Sequence, residues 1–123
     1  LYFSAPPPMA PDQIPNGRVK RALGAYVDAF KPTGVRPDVG HSLAWDPAWL
    51  VIDAYKKLGL NATATQIRDH IVGLRGWAGI NGQYDFRSIP QRGVGADNVI
   101  IARWDTTKDT WVAMSKLGGE PLR

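Results

Sequence analysis

The 123 residues predict an α/β fold, and three observations carry that prediction. Apolar residues recur at helical spacing in three stretches of the middle of the chain. Short runs rich in aromatic and β-branched residues stand at both ends. The composition, with 44% hydrophobic and 21% charged residues, is that of a folded globular chain. A strand followed by helices and then further strands is the order expected of an α/β protein.

The amino-terminal part predicts a strand, a connector and a helix. Residues 1–5 are aromatic and apolar enough for a short strand, which the prolines at positions 6–8 end because proline cannot donate to a sheet. A helix is then expected from Asn16 or Gly17 to Pro32. Its apolar positions recur at three- and four-residue steps and form one stripe: Val19, Ala22, Leu23, Tyr26, Val27 and Phe30.

Two further helices are predicted from their capping residues. Asp46-Pro47 indicates the start of the second helix, because Asp is a good N-cap and proline fits the first helical position. Gly59 is expected to end that helix. Thr63 and Gln66 have the spacing of a capping box, so a third helix should begin there and continue to about Arg75.

The last third of the chain predicts turns and strands. The glycine-rich stretch 76–82 favours a turn region, and the alternation around Tyr84 and Phe86 indicates a strand. Residues 99–104 and 111–115 predict a hairpin joined by the polar stretch 105–109. Because a single strand or hairpin is marginal alone, the remaining strands of the sheet are expected elsewhere.

Charge and composition exclude several classes of function. The net charge of +4 comes from scattered basic residues, whereas nucleic-acid binding needs a continuous basic stripe, so we expect no nucleic-acid partner. The chain has no cysteine, which excludes disulfides and thiolate metal sites. Its apolar runs are too short for a membrane-spanning helix.

The spacing of the polar residues indicates neither a catalytic site nor a metal-binding site. Asp69 and His70 are adjacent on a predicted helix and point about 100° apart, so they do not form an acid–base pair. His41 and His70 are far apart in sequence, with no Cys or Glu nearby. The glycines lack the spacing of a phosphate loop. We therefore expect no enzyme activity, no metal and no cofactor.

A resemblance to a known family lies in the order and spacing of several stretches. These are Phe30–Gly34 with Arg36-Pro37-Asp38, Ala44–Ala48 with the helix to Gly59, Ile67-Arg68 with Leu74, Gly79–Phe86, and Val99–Ile101 with Trp111-Val112. Together they resemble periplasmic solute-binding proteins of the leucine/isoleucine/valine-binding type. The likeness covers nearly the whole chain and about the C-terminal third of a full family member. Trp45 stands where that family more commonly has Tyr.

The resemblance implies part of a two-lobe type I periplasmic-binding-protein fold. Residues 6–95 would contribute to the first lobe, and residues 1–5 and 98–123 to the second. The chain would then be the C-terminal segment of a periplasmic or extracellular receptor, with the signal peptide outside this sequence. It would bind a small carboxylate-bearing solute, such as a branched-chain amino acid, an aromatic acid or an amide, in a cleft between the lobes.

The partners implied by the resemblance are an ABC permease in the membrane and the N-terminal part of the same receptor. As an isolated segment, the chain would expose sheet edges and favour a homodimer or a strand swap. The alternative is a small standalone α/β interaction or ligand-sensor module.

The candidate ligand-binding residues lie around the start of the predicted second helix: His41, Ser42, Trp45 and Asp46. A helix N-terminus offers free N–H groups that suit a carboxylate. Trp45 would supply an apolar wall and His41 a titratable donor. The resemblance implies that the loop leading into the predicted second helix contributes a residue to the ligand-binding cleft. Asp46 also has the simpler interpretation of an N-cap, and Trp45 that of a core anchor.

Overall fold

The computed structural model describes all of residues 1–123 and contains three α-helices and five β-strands, with short 3₁₀ turns between them. This confirms the predicted mixed α/β class. The elements, in chain order, are β1 Tyr2–Ala5, α1 Arg18–Phe30, α2 Val39–Leu58, α3 Ala64–Val72, β2 Arg75–Ala78, β3 Gln83–Asp85, β4 Ile100–Asp105 and β5 Thr110–Ala113. No helix is both long and apolar enough to cross a bilayer.

The two ends of the chain meet in one antiparallel sheet. β1 pairs with β4, with Tyr2 opposite Arg103, and β4 pairs with β5 in the order β1-β4-β5. The turn between β4 and β5 is closed by Asp105, whose carboxylate accepts hydrogen bonds from the N–H groups of Thr107 and Lys108. The predicted first strand and hairpin are confirmed.

The second helix begins eight residues before the predicted start, with its N-cap at Asp38 and its first helical residue at Val39, so the interpretation of Asp46 as an N-cap is wrong. Asp38 caps α2 instead: it accepts a hydrogen bond from the His41 N–H at 3.2 Å, and His41 Nδ1 lies 2.7 Å from its carboxylate. Pro47 lies inside the helix and omits the hydrogen bond that its position would donate to the carbonyl of Leu43. Residues 40–45, predicted as the loop that leads into the second helix, therefore belong to the first turns of α2.

The third helix starts as predicted and ends early. Gln66 N–H donates to Thr63 Oγ1 at 3.2 Å, and Thr63 N–H donates to Gln66 Oε1 at 2.8 Å, which completes the capping box. The helix ends at Val72 because the chain enters β2 at Arg75. β2 pairs with β3 across a bulge, and Gly76, with φ of +74°, takes the backbone conformation that this irregularity needs. The stretch 76–82 is thus half strand and half turn.

One core joins α1 to the three-stranded sheet. It is formed by ten buried residues: Ala5, Ala10, Ile14, Val19, Leu23, Tyr26, Ile80, Ile100, Ala102 and Ala113. The buried face of α1 is the predicted apolar stripe. A smaller core of Leu50, Tyr84 and Phe86 lies between α2 and β3. Residues that the resemblance assigns to different lobes share the larger core, and the division into lobes stays a prediction.

Candidate functional site

Asp46 is buried on α2 and holds the turn between β2 and β3. Its side chain is 1% exposed and accepts four hydrogen bonds. The donors are Ile80 N at 2.8 Å, Asn81 N and Nδ2 both at 3.0 Å, and the Tyr84 hydroxyl at 2.9 Å. Burial, and then the charge of Asp46, raises the pKa of Tyr84, so that hydroxyl stays protonated and donating. All four donors suit the ionised carboxylate.

Glycines let this turn approach its neighbours closely. A Cβ on Gly79 would lie 2.5 Å from Asp46 Oδ2, and a Cβ on Gly82 would clash with Asn98 Oδ1. Asn98 is itself buried and accepts from Gln83 N–H at 2.9 Å. The turn is therefore held by hydrogen bonds on both sides, to the carboxylate of Asp46 on α2 and to the side-chain amide of Asn98. The geometry gives Asp46 a structural task.

His41, Ser42 and Trp45 share the first turns of α2 but face different surroundings. His41 is exposed and belongs to the capping turn with Asp38. Ser42 is fully buried, and its hydroxyl donates to the Val39 carbonyl at 2.7 Å. Its own carbonyl accepts a long, 3.5 Å hydrogen bond from Asn81 Nδ2. Whether His41, Ser42, Trp45 and Asp46 bind a ligand stays a prediction.

Trp45 is half-buried in a row of aromatic rings between α1 and α2. Its ring lies edge-to-face against Tyr26, with 5.1 Å between centroids, and 6.2 Å from Trp49. Tyr26 in turn donates its hydroxyl to the Asp38 carbonyl at 2.9 Å, and burial raises its pKa to about 12. The row therefore supports the backbone at the start of α2.

A cleft of about 610 Å³ opens beside the start of α2. It lies between the proline-rich connector after β1, the loop before α2, and the β4–β5 hairpin. Its apolar walls include Met9, Val27 and two tryptophans, Trp104 and Trp111. Phe3 steadies Trp111 from behind in an edge-to-face contact of 4.6 Å, and Trp104 packs on Trp111 at 4.9 Å.

The polar groups of the cleft come from distant parts of the chain. Arg36 donates from its guanidinium to Thr110 Oγ1, which ties the loop before α2 to the hairpin. Asp38, two residues on, also lines the cleft, and the hydrogen bond from the His41 N–H is the main cause that lowers its pKa. Gln13 ties the connector to β5 by accepting from Ala113 N–H at 3.1 Å. The cleft thus combines flat apolar walls with one cation, Arg36, and two carboxylates, Asp12 and Asp38.

None of the four residues proposed from sequence lines this cleft. His41 adjoins it through Asp38, whereas Trp45 and Asp46 line a smaller groove elsewhere. The cleft residue missed by sequence reasoning is Arg36. Its only signal was its place in the Arg36-Pro37-Asp38 stretch, and nothing local indicated that it meets a hairpin 74 residues away.

The solved structures similar to this chain include the following three. The Rhodopseudomonas palustris protein Rp1789 (strain CGA009) has a TM-score of 0.73 and 16% identity, over 94% of this chain and 34% of that one. Two proteins described as extracellular ligand-binding receptors come from Rhodopseudomonas palustris and its strain HaA2. Each has a TM-score of 0.71 and 15% identity over 92% of this chain, and 33% and 34% of their own length is covered.

No family model and no curated protein matches the sequence. At such low identity, the likeness to the solved structures establishes the fold alone. This chain spans about a third of the length of those three proteins. Its helices and strands match a part of the fold of the two extracellular ligand-binding receptors.

Proposed function

We propose that this chain is part of a non-enzymatic, extracytoplasmic solute receptor that binds a small carboxylate-bearing molecule in the 610 Å³ cleft. In the finer form of the proposal, the solute is an amino acid or aromatic acid, and a membrane permease of an ABC importer receives it. The observation that carries the proposal is the position of Arg36 beside two tryptophan rings in a cleft of ligand size. The similarity in fold to extracellular ligand-binding receptors supports the class of function.

The size and walls of the cleft suit a small organic molecule. Ligand sites commonly enclose about 300–1,000 Å³ and combine apolar walls with a few polar groups. The indole rings of Trp104 and Trp111 are held at 74° to one another, so they offer two faces to an aliphatic or aromatic body. Because Phe3 already packs against Trp111, that ring needs little ordering when a ligand arrives.

The Arg36 guanidinium suits a carboxylate, and the two carboxylates of the cleft, Asp12 and Asp38, suit an ammonium. A guanidinium has five N–H donors, so Arg36 keeps donors for a ligand while one binds Thr110. Arginine recognises carboxylates through two parallel hydrogen bonds, which gives both strength and orientation. Asp38 stays ionised because hydrogen bonds from the start of α2 lower its pKa, and it can accept from the amino group of an amino acid.

Calorimetric titration of benzoate, with benzamide as its neutral isostere, tests the proposal. Wild-type protein should bind benzoate more tightly than benzamide. Arg36→Met should weaken benzoate binding by about tenfold or more, since a hydrogen bond to a charged group contributes about 1.5–3 kcal/mol. Arg87→Met removes an exposed arginine outside the cleft and is the matched control. Equal benzoate affinities for the Arg36 and Arg87 variants would contradict the assigned site.

A standalone ligand-sensor or interaction module is the second candidate. It is favoured by one observation: the larger core and the three-stranded sheet are formed entirely by this chain. The two candidates differ in their partner. Binding of benzoate without any association with a permease-containing membrane would favour the sensor module.

A further inference from the structure

A second, smaller groove of about 230 Å³ lies between α1, α2 and β2. Three tryptophans line it: Trp45 and Trp49 from α2, and Trp77 from β2. None of its lining residues belongs to the larger cleft. Trp49 is 36% exposed, so the groove opens to solvent.

The sequence explains why these rings leave a space between them. Trp45, Trp49 and Asp53 follow one another at four-residue steps and therefore share a face of α2. The residues opposite them are small and cannot fill the gap: Ala22, Ala25, Ala78 and Gly79. The rings remain as walls around an unfilled volume.

The groove carries negative charge. The buried carboxylate of Asp46 lines it and takes part in none of the five ion pairs of the molecule. Asp53 lines it too, and accepts a hydrogen bond from Trp77 Nε1 at 3.0 Å. That bond fixes the Trp77 ring and leaves the second carboxylate oxygen of Asp53 to face cations.

A cation of the protein itself, Lys56, contacts two lining residues of the groove, Trp49 and Asp53, without lining the groove itself. The ammonium nitrogen of Lys56 sits 4.8 Å from the centroid of the Trp49 ring and 3.5 Å from Asp53 Oδ1. This is the distance range of a cation–π contact, which desolvation strengthens. Lys56 is well exposed, with 64% of its side chain accessible, so it can leave the ring at little cost.

We propose that the three-tryptophan groove binds a small organic cation of the alkylammonium class, with Lys56 as its intramolecular competitor. Aromatic faces attract weakly hydrated cations such as methylated ammonium groups, and the Asp53 carboxylate supplies the counter-charge. Trp45 and Trp49 contact the alkyl groups, while the fixed Trp77 ring closes the opposite side. The site is separate from the cleft proposed for carboxylates, so an experiment can contradict one of the two proposed binding sites and leave the other standing.

Titration with choline and with dimethylbutanol, its neutral carbon isostere, tests the charge requirement. Wild-type protein should bind choline about tenfold more tightly than the alcohol, because only the cation gains the ring and carboxylate interactions. Trp49→Leu should weaken choline binding by about fivefold or more. Trp104→Leu, which changes a similarly exposed tryptophan in the other cleft, should leave it unchanged.

Removal of the competitor gives an independent readout. Lys56→Gln should strengthen choline binding by about threefold, because the ring and carboxylate are then vacant. Thermal melts of each variant verify that the fold is intact. Equal binding of choline and the alcohol would overturn the proposal. So would an absence of choline binding in both wild type and Lys56→Gln, or equal losses in the Trp49 and Trp104 variants.

Discussion

Replacing Asp46 by Asn tests the hydrogen-bond network that holds the β2–β3 turn on α2. Asp46 Oδ2 accepts three hydrogen bonds and Oδ1 accepts one, from Ile80 N–H. The amide NH₂ of Asn is therefore best placed at the Oδ1 position, where it displaces a single donor. Ile80 is fully buried, so its N–H then has no acceptor and no access to water.

The magnitude follows from counting donors. One buried donor without a partner costs about 1–3 kcal/mol, so Asp46→Asn should lower the free energy of unfolding by that amount. Asp46→Ala removes the acceptor of all four bonds and opens a cavity. Because such bonds are not additive, we expect a loss of about 3–5 kcal/mol, a large fraction of the stability of a small domain.

Urea unfolding followed by tryptophan fluorescence measures both changes, with an unchanged m-value as the sign of two-state behaviour. Asp28→Asn, at an exposed position paired with Lys31, is the control and should have little effect. Asn is as good an N-cap as Asp, so a purely capping Asp46 would tolerate this change. A loss below about 0.5 kcal/mol for Asp46→Asn would refute the network.

Three further predictions concern the same fold. Gly79→Ala places a Cβ against the buried carboxylate and should cost about 1–3 kcal/mol in thermal melts, whereas Gly24→Ala, in open space on α1, should stabilise by about 0.5–1 kcal/mol. Burial raises the pKa values of Tyr26 and Tyr84 above 10.0. Their contribution to the free energy of unfolding is therefore complete below pH 10.0 and is lost as the pH rises through the raised values. Tyr84→Phe should reduce this loss of stability at alkaline pH, as measured by unfolding at a series of pH values. The hydrogen bond from the Ser88 N–H is the main cause that lowers the pKa of Asp85. The contribution of Asp85 to the free energy of unfolding is therefore complete above pH 3.8 and is lost as the pH falls through the lowered value. Asp85→Asn should make the free energy of unfolding depend less on pH in the acid range.

Elements whose signals are local could be predicted from the sequence. The Thr63–Gln66 capping box and the apolar stripe of α1 depend on residues three or four positions apart, and both are confirmed. The β4–β5 hairpin depends on two neighbouring β-rich runs. In each case the interacting residues are close in the chain, so composition and spacing suffice.

The start of α2 could not be predicted from such signals because two aspartates compete as caps. Asp38 caps the helix because it forms a capping box with His41. The sequence did not indicate this box, because the position of His41 usually holds Glu or Gln. Asp46 is occupied instead by donors 34 to 38 residues away. Likewise, Arg36 and Thr110 are 74 residues apart and are in contact because the β4–β5 hairpin packs against the loop before α2. The cleft between them therefore has no local sequence pattern.

Nuclear magnetic resonance of the tryptophan indole N–H groups during a benzoate titration tests the proposed carboxylate cleft most directly. Trp104 and Trp111 line the cleft, and Trp45, Trp49 and Trp77 line the smaller groove, so the five signals report separately on the two sites. We expect the Trp104 and Trp111 signals to move in a saturable manner, and to stop moving in Arg36→Met. Movement confined to the other three indoles, or saturable movement unaffected by Arg36→Met, would contradict the account.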